Sequence, residues 1–483
     1  MRIATTFAVV VVLAASAAAQ PIDPNKITAF RNVTVIDTIA GREQPSMTVV
    51  IKGARILDAG PASTPIPKEA EIVDGTGKFL IPGLWDMHAH FVAIPGIRAF
   101  IDPLLIANGI TGVRNPGVDP LARVLDQRRE IESGRAVGPR IVTSGEVLDG
   151  PYPVWPHALA VASPDDGRRL VGDHKRNGAD FIKVYGLLPR PEFFAIAEEC
   201  KKQSIPFAGH VPLMISATEA SNAGMRSMEH LTGVLYETSA KAKELVEQAA
   251  ALGRNSVAER AKGPRDALAD LPVFLRLEID AALSYDSQAA SRLFATLKKN
   301  DTWQVPTLVT KRDWSHHDDA SYMSDRRWEH LPESQQGYID KIVSAADMAA
   351  LKKAFGVELQ IVRDMHRAGV HVLAGTDGPP FWLADELELF VKAGLTPAEA
   401  LRTATADAAT FLQRADDFGS IAKGKVADVV LLDADPLRDV GAVRKIHAVM
   451  AAGRYFDRPA LDALLADLAK RAAAAKAKRG KMN

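Results

Sequence analysis

In the stretch LIPGLWDMHAHF, residues 80–91, two histidines stand two positions apart behind an aspartate. An extended segment has a side-chain period of two, so His88 and His90 face one way with Asp86 below them. Two imidazoles on one face at the end of an apolar run can hold a metal ion; the plainer alternative is a pair of half-exposed histidines at a strand end. Further along, residues able to hold a cation or a proton recur at the ends of short apolar runs: Lys183 in DFIKVYG, His210 in FAGHVP, His230 in SMEHLTG and Asp377 in VLAGTDG. Lys183 stands out because Ile182 and Val184 flank it. Such a lysine either snorkels to an open edge or is pushed toward the neutral amine by burial and nearby cations, ready to react or coordinate.

Positioning these residues requires a repeated strand-and-helix frame. From about residue 84 to 378 short apolar runs alternate with helical segments such as DPLARVLDQRREIESG and PEFFAIAEECKKQS. The predicted strands are the one carrying LWDMHAH, then GITGVRNPG, RIVTSGEVLDG, DFIKVYG, IPFAGHVP, RSMEHLTG, WQVPTLVT and VHVLAGTDG. Strands alternating with helices imply a parallel sheet, and eight such units imply a closed (β/α)8 TIM barrel with its active site at the strand C-termini. His88, His90, Lys183, His210, His230 and Asp377 all fall at that end. Before the barrel, ITAFRNVTVID, SMTVVIKGARILDAG and EIVDGTGKFLIPG read as β-strands, and GSIAKGKVADVVLLDADPL and KIHAVMAAGRYF read the same way after it. The expected organisation is a discontinuous β-sandwich domain (20–80 plus 418–458) and a barrel (81–417) with helical insertions at 237–300 and 311–355. A helical tail (459–483) follows. The insertions follow strand C-termini, where they are either a cover for the pocket or surface decoration.

Composition narrows the function classes. The 483 residues are 47% apolar and 24% charged, and 59 basic side chains balance 59 acidic ones. There is no basic footprint of the kind nucleic-acid binding needs. Residues 1–19 read as a signal peptide, with Arg2, the apolar run Phe7–Leu13 and the small residues Ala17–Ala19, so a secreted or periplasmic protein without a stable membrane anchor is expected. The single cysteine, Cys200, excludes intramolecular disulfides and cysteine-cluster metal sites. Any metal is then held by histidine, carboxylate or something less usual.

His-x-His on the first strand, lysine on the fourth, histidines on the fifth and sixth and aspartate on the eighth resemble the amidohydrolase superfamily. The phrases AGLTPAEALRTAT and GSIAKGKVADVVLLDADP carry the resemblance across nearly the whole chain, and TGVRNPG, DFIKVYG, FAGHVP and SMEHLTG are similar to the imidazolonepropionase-like and Xaa-Pro dipeptidase-like branch. The resemblance implies two divalent metal ions of zinc type: His88, His90 and Asp377 on one, His210 and His230 on the other. It also implies a carbon dioxide-derived carbamate on Lys183 as the bridge. Two such ions share a water and lower its pKa towards neutrality, and Asp377 passes its proton to the leaving amine. The implied activity is hydrolysis of a dipeptide-like or N-acyl amino acid amide. Lactones, cyclic imides and toxin amides are the alternative substrates, and a metal-containing binding protein the alternative class. Expected partners are the small substrate and further copies of the chain.

Strand-end loops should carry specificity. His157 and Tyr236 are expected to contact a substrate carbonyl or carboxylate, with Tyr185 beside Lys183; Trp155, Phe381 and Trp382 are loop aromatics. Arg114 either pairs with a substrate carboxylate or makes a structural ion pair. His316 and His317 in WSHHDD read as surface residues. Asn115 and Ala384 depart from the branch, which more often carries an acid and a histidine there. Asp86 is expected to orient an imidazole.

Overall fold

The computed structural model describes residues 23–90, 96–319, 325–332 and 345–479; the expected signal peptide lies outside them. Leu84–Asp86, Ile110–Asn115 and Arg140–Thr143 pair in parallel. Thr143 O accepts from Asp180 N (2.8 Å), and Leu148 pairs with Val184, which carries the ring on to Ile182–Val184. Phe207–Gly209, Ser227–Glu229 and Trp303–Val305 follow, each parallel to its neighbour. The segment around Val372 closes the ring: Leu373 N donates to Gln304 O, and Met87 N donates to Ala374 O, both at 2.9 Å. The strand expected as WQVPTLVT ends at Val305, because Thr307 turns left-handed (φ 48°) and a helix, Leu308–His316, begins.

Local sequence explains the helices around the ring. Ser216 and Thr396 each start a helix through a capping box, accepting from the backbone of Glu219 and Glu399 while those carboxylates accept from the Ser216 and Thr396 amides. Inside the barrel the Trp85 indole lies flat on Gly112, where a Cβ would come within 2.2 Å of the ring.

The strands before and after the barrel join in one eight-stranded sheet. Phe79–Pro82 runs antiparallel to Val429–Leu432, so the two ends of the chain are stitched at its middle. The sandwich-like core forms by curling of this single sheet, which brings Phe30 and Tyr455 to 6.0 Å between ring centroids over Val35, Ile51, Leu80 and Val429. Gly83 marks the crossing into the barrel: its N–H donates to Asp428 O (2.8 Å), and any side chain there would strike Thr111.

The insertion after the sixth strand supplies helices Ala242–Arg260 and Leu271–Leu283; Ser287–Lys299, expected as part of it, is the helix that leads into the seventh strand. Leu271–Leu283 packs through Ile279 and Ala282 on Leu351 and Ala354 of the long helix Ala345–Arg367. A buried ion cluster reinforces this contact, with Lys311 Nζ 2.5 Å from Glu278 and 3.9 Å from Glu358. The two insertions therefore form one roof over the strand ends. No helix among the described residues is long and apolar enough to cross a membrane.

Candidate active site

The six residues picked out by type and spacing converge under that roof, at one end of a cavity of about 500 Å³. Three imidazoles are held from behind by Nδ1. His88 Nδ1 is 2.7 Å from Glu229, His90 Nδ1 is 3.1 Å from Gly117 O, and His230 Nδ1 is 2.7 Å from Thr307 Oγ1. A carbonyl only accepts, and Thr307 already donates to Pro306 O (2.8 Å), so the hydrogens of His90 and His230 sit on Nδ1. The Glu229 carboxylate sets His88 the same way. Each ring thus turns its Nε2 towards Asp377, at 3.7 Å for His88, 3.2 Å for His90 and 3.8 Å for His230. Against the effect of burial, the Asp377 carboxylate raises the His90 pKa. His88 Nε2 also faces His90 Nε2 at 3.2 Å. Imidazole nitrogens gathered around one carboxylate are a donor set that fits a divalent metal of the kind these groups bind. Ligand atoms of His88, His230 and Asp377 lie within 4.8 Å of one another.

His210 and Lys183 complete the cluster. The His210 ring lies 4.7 Å from that of His230 and 4.2 Å from Tyr185. Burial, then the charge of Lys183 and of the neighbouring imidazoles, hold His210 well below the ordinary histidine range, and burial pushes His88 down to about 4. Both are therefore neutral imidazoles at ordinary pH. Lys183 is 2% exposed, and its stem passes between Gly117 and Gly209, where a Cβ would lie 3.4 Å and 2.9 Å from it. Burial pushes its ammonium down to about 8, although Glu229 and Asp377 favour the charge. Burial opposes the Asp377 charge too, but the surrounding histidines win and hold its carboxyl well below the usual range.

Glu229 is the residue that sequence reasoning missed. Arg114 is not a substrate contact: it is buried inside the barrel, with Nη2 2.8 Å from both Glu229 oxygens, Nη1 2.8 Å from Ser227 and Nε 2.6 Å from Met87 O. Burial penalises the Glu229 charge, yet Arg114 and His88 hold the carboxyl well below its usual range. Arg114, Glu229 and His88 form one relay, and it is Glu229 rather than Asp86 that orients the imidazole. Asp86 instead accepts from His88 N and Thr376 N (both 3.0 Å) and from Thr376 Oγ1 (2.7 Å), tying the first barrel strand to the eighth. We expect Glu229→Gln to weaken divalent-metal affinity by roughly 10- to 100-fold. Competition against a chelating dye measures this, and unchanged affinity would show that the His88 ring is fixed by something else.

The remaining expectations divide. His157 stands exposed at the cavity mouth beside Trp155, whose Nε1 donates to Tyr185 Oη at 2.9 Å, and all three line the cavity. Tyr236 does not: it is buried behind the wall in a side pocket of about 10 Å³, and its hydroxyl has no hydrogen-bond partner among the described residues. Phe381 and Trp382 pack on Trp328 in the core. His316 lies outside the cluster, with its Nδ1 2.7 Å from Ser315 Oγ, and His317 Nδ1 is 3.2 Å from Trp314 O. Asn115 is engaged within the barrel, donating to Ala89 O and Asp119 and accepting from Thr143 Oγ1. Ala384 packs against the apolar core. Glu386, also unanticipated, accepts from Leu308 N (3.0 Å) and Val309 N (2.7 Å), and so fixes the turn that presents Thr307 to His230.

Residues 79–455 match the model of the amidohydrolase family, which spans most of the chain. The chain belongs to that family. Over 161 residues this amidohydrolase is 30% identical to an ochratoxinase of Aspergillus niger; the match takes in 29% of the chain and only 34% of that relative's length. The fold is shared with the bottromycin amidohydrolase (TM-score 0.70, 24% identity, 93% of this chain and 92% of that one). It is shared also with a Xaa-Pro dipeptidase solved with methionine bound in its active site (TM-score 0.65, 19% identity, 89% and 100%).

Proposed function

We propose that this protein is an exported, binuclear metal-dependent amidohydrolase that cleaves the amide bond of a dipeptide-like or N-acyl amino acid substrate. The observation that carries the reading is the set of Nε2 atoms turned on Asp377 in the lining of a large cavity. His88, His90 and Asp377 would hold one ion and His210 and His230 the other, with a carboxylated Lys183 between them. Divalent ions bound there would polarise a carbonyl and acidify a water. The protein's own residues do the rest. Glu229, Gly117 O and Thr307 keep three imidazoles in the ligand tautomer. Asp377 Oδ, held ionised, accepts the proton of the attacking water and returns it to the nitrogen of the departing amine. Tyr185 and His157 line the path of the substrate, and the roof helices keep bulk water from the strand ends. Residues 1–19 would direct export, and 20–80 with 418–458 would brace the barrel.

A second reading, hydrolysis of a bulky toxin amide, draws support from the likeness to an ochratoxinase and from the apolar wall formed by Val147, Leu187, Leu268, Leu271 and Phe274. A screen of dipeptides, N-acyl amino acids and aryl amides against metal-supplemented protein tests both. Hydrolysis abolished by chelation and restored by zinc is the expected result. Full metal stoichiometry with no turnover across amides and esters would overturn the enzyme reading, and the preferred leaving group separates the two substrate classes.

A further inference from the structure

The roof carries a charge that the chemistry above leaves unused. Arg260 ends the helix Ala242–Arg260, lines the cavity and is 7% exposed. A guanidinium so removed from water is costly unless its donors and its charge are met. Here they are met poorly. The terminal nitrogens reach only backbone carbonyls, Asp266 O at 3.1 Å and Arg265 O at 3.4 Å, and Nε has no hydrogen-bond partner among the described residues. The Asp270 carboxylate stands off at 3.9 Å and already accepts from Ser256 Oγ and from Arg265, both at 2.6 Å. Asp270 is thus shared by two guanidiniums, of which Arg265 also has Glu259 at 3.9 Å, and Arg260 is left with no carboxylate within hydrogen-bond distance among the described residues. Lys311, the roof's other buried cation, is the reverse case, flanked by the carboxylates of Glu278 and Glu358. Arg260 also lies within electrostatic reach of Asp149, at the foot of the loop that carries Trp155 and His157 to the cavity mouth. Asp149 accepts from the amides of Leu187 (2.8 Å) and Val154 (3.0 Å) and, among the described residues, forms neither a hydrogen bond nor an ion pair with Arg260.

We propose that Arg260 is a specificity-determining residue that reads a carboxylate on the substrate, so that amides carrying a free acid are selected over their uncharged counterparts. The inference rests on the amide-hydrolase reading and sharpens its substrate class to an apolar amide with an anionic end. A desolvated guanidinium short of acceptors binds a carboxylate through parallel N–H donors more strongly than any neutral group.

The test compares N-benzoyl-phenylalanine with its alcohol analogue, N-benzoyl-phenylalaninol, on the metal-loaded full chain. The wild type is expected to favour the acid in kcat/KM by roughly 10- to 100-fold. Arg260→Gln should collapse that preference through a higher KM for the acid, while Arg260→Lys retains part of it. Equal losses on both compounds would overturn the proposal, because they would mean that Arg260 merely holds the roof loop through its two carbonyl contacts; a wild type without preference would overturn it too. If neither compound is hydrolysed, the amide reading fails for this class, and calorimetric binding of the same pair decides on Arg260. Tighter binding of the acid that Arg260→Gln abolishes supports the role; equal or undetectable binding rejects it.

Discussion

Asp377→Asn is expected to lower kcat by about 10³-fold or more while leaving the fold unchanged. The reasoning starts from the backbone. Asp377 has a left-handed conformation (φ 49°) and its N–H donates to His88 O at 2.7 Å, so the side chain is aimed by the closure of the barrel itself. Asparagine tolerates that conformation and matches aspartate in size, so position and packing survive. What is lost is the negative charge that three Nε2 atoms face and the carboxylate oxygen proposed to take the proton of the attacking water. Activity, metal content and melting temperature should therefore separate: the first falls steeply, the second falls in part and the third stays within a few degrees. Retention of more than about a tenth of wild-type turnover with full metal occupancy would remove Asp377 from the proton path.

The second large effect is expected at Lys183. A lysine with its stem between two glycines and its head among imidazoles adds positive charge where the proposed metal ions would bind. Carboxylation would reverse this: the ammonium loses one proton, the neutral Nζ forms a bond to the carbon of carbon dioxide and loses a second proton, and a cation becomes an anion. The reaction requires the neutral amine, which burial makes accessible near pH 8 rather than above 10. Reconstitution of metal-stripped protein should consequently be faster with added bicarbonate and, at equal dissolved carbon dioxide, faster at pH 8.5 than at pH 6.5, roughly tenfold for each unit below the lysine pKa. Lys183→Ala should bind one metal or none and lose at least about 100-fold in turnover. If it bound two ions and kept full activity, the bridging role would be wrong.

Much of the site was legible because a parallel barrel gathers strand C-termini at one end. His88, His90, Lys183, His210, His230 and Asp377 could be placed together without knowing a single distance. Arg114 and Glu229 were harder for a physical reason. Each sits on a short strand whose neighbours are all buried, so alternation gives no inward or outward face to read. The available signal was their coexistence: two opposite charges on strands with no exposed face must satisfy each other. The roof was illegible for another reason. Helical periodicity in 237–300 and 311–355 reports an apolar face but not its partner. The pairing of Ile279 and Ala282 with Leu351 and Ala354 is a long-range contact that local pattern does not encode. Tyr236 lies close to His230 in sequence, yet the short helix Val234–Glu237 turns it behind the cavity wall.

The stitch between Phe79–Pro82 and Val429–Leu432 has a consequence for how the molecule is made. The two segments are separated by roughly 350 residues, so the loop-closure entropy of their pairing is met only late, after the chain between them has been synthesised. Until then Leu80 and Ile81, both fully covered in the finished sheet, lie on an open edge immediately before the first barrel strand. An unpaired apolar edge is a template for association with another chain. Nascent or C-terminally truncated chains should therefore depend on chaperones and aggregate from the N-terminal end, even when every residue of the metal-type cluster has already emerged.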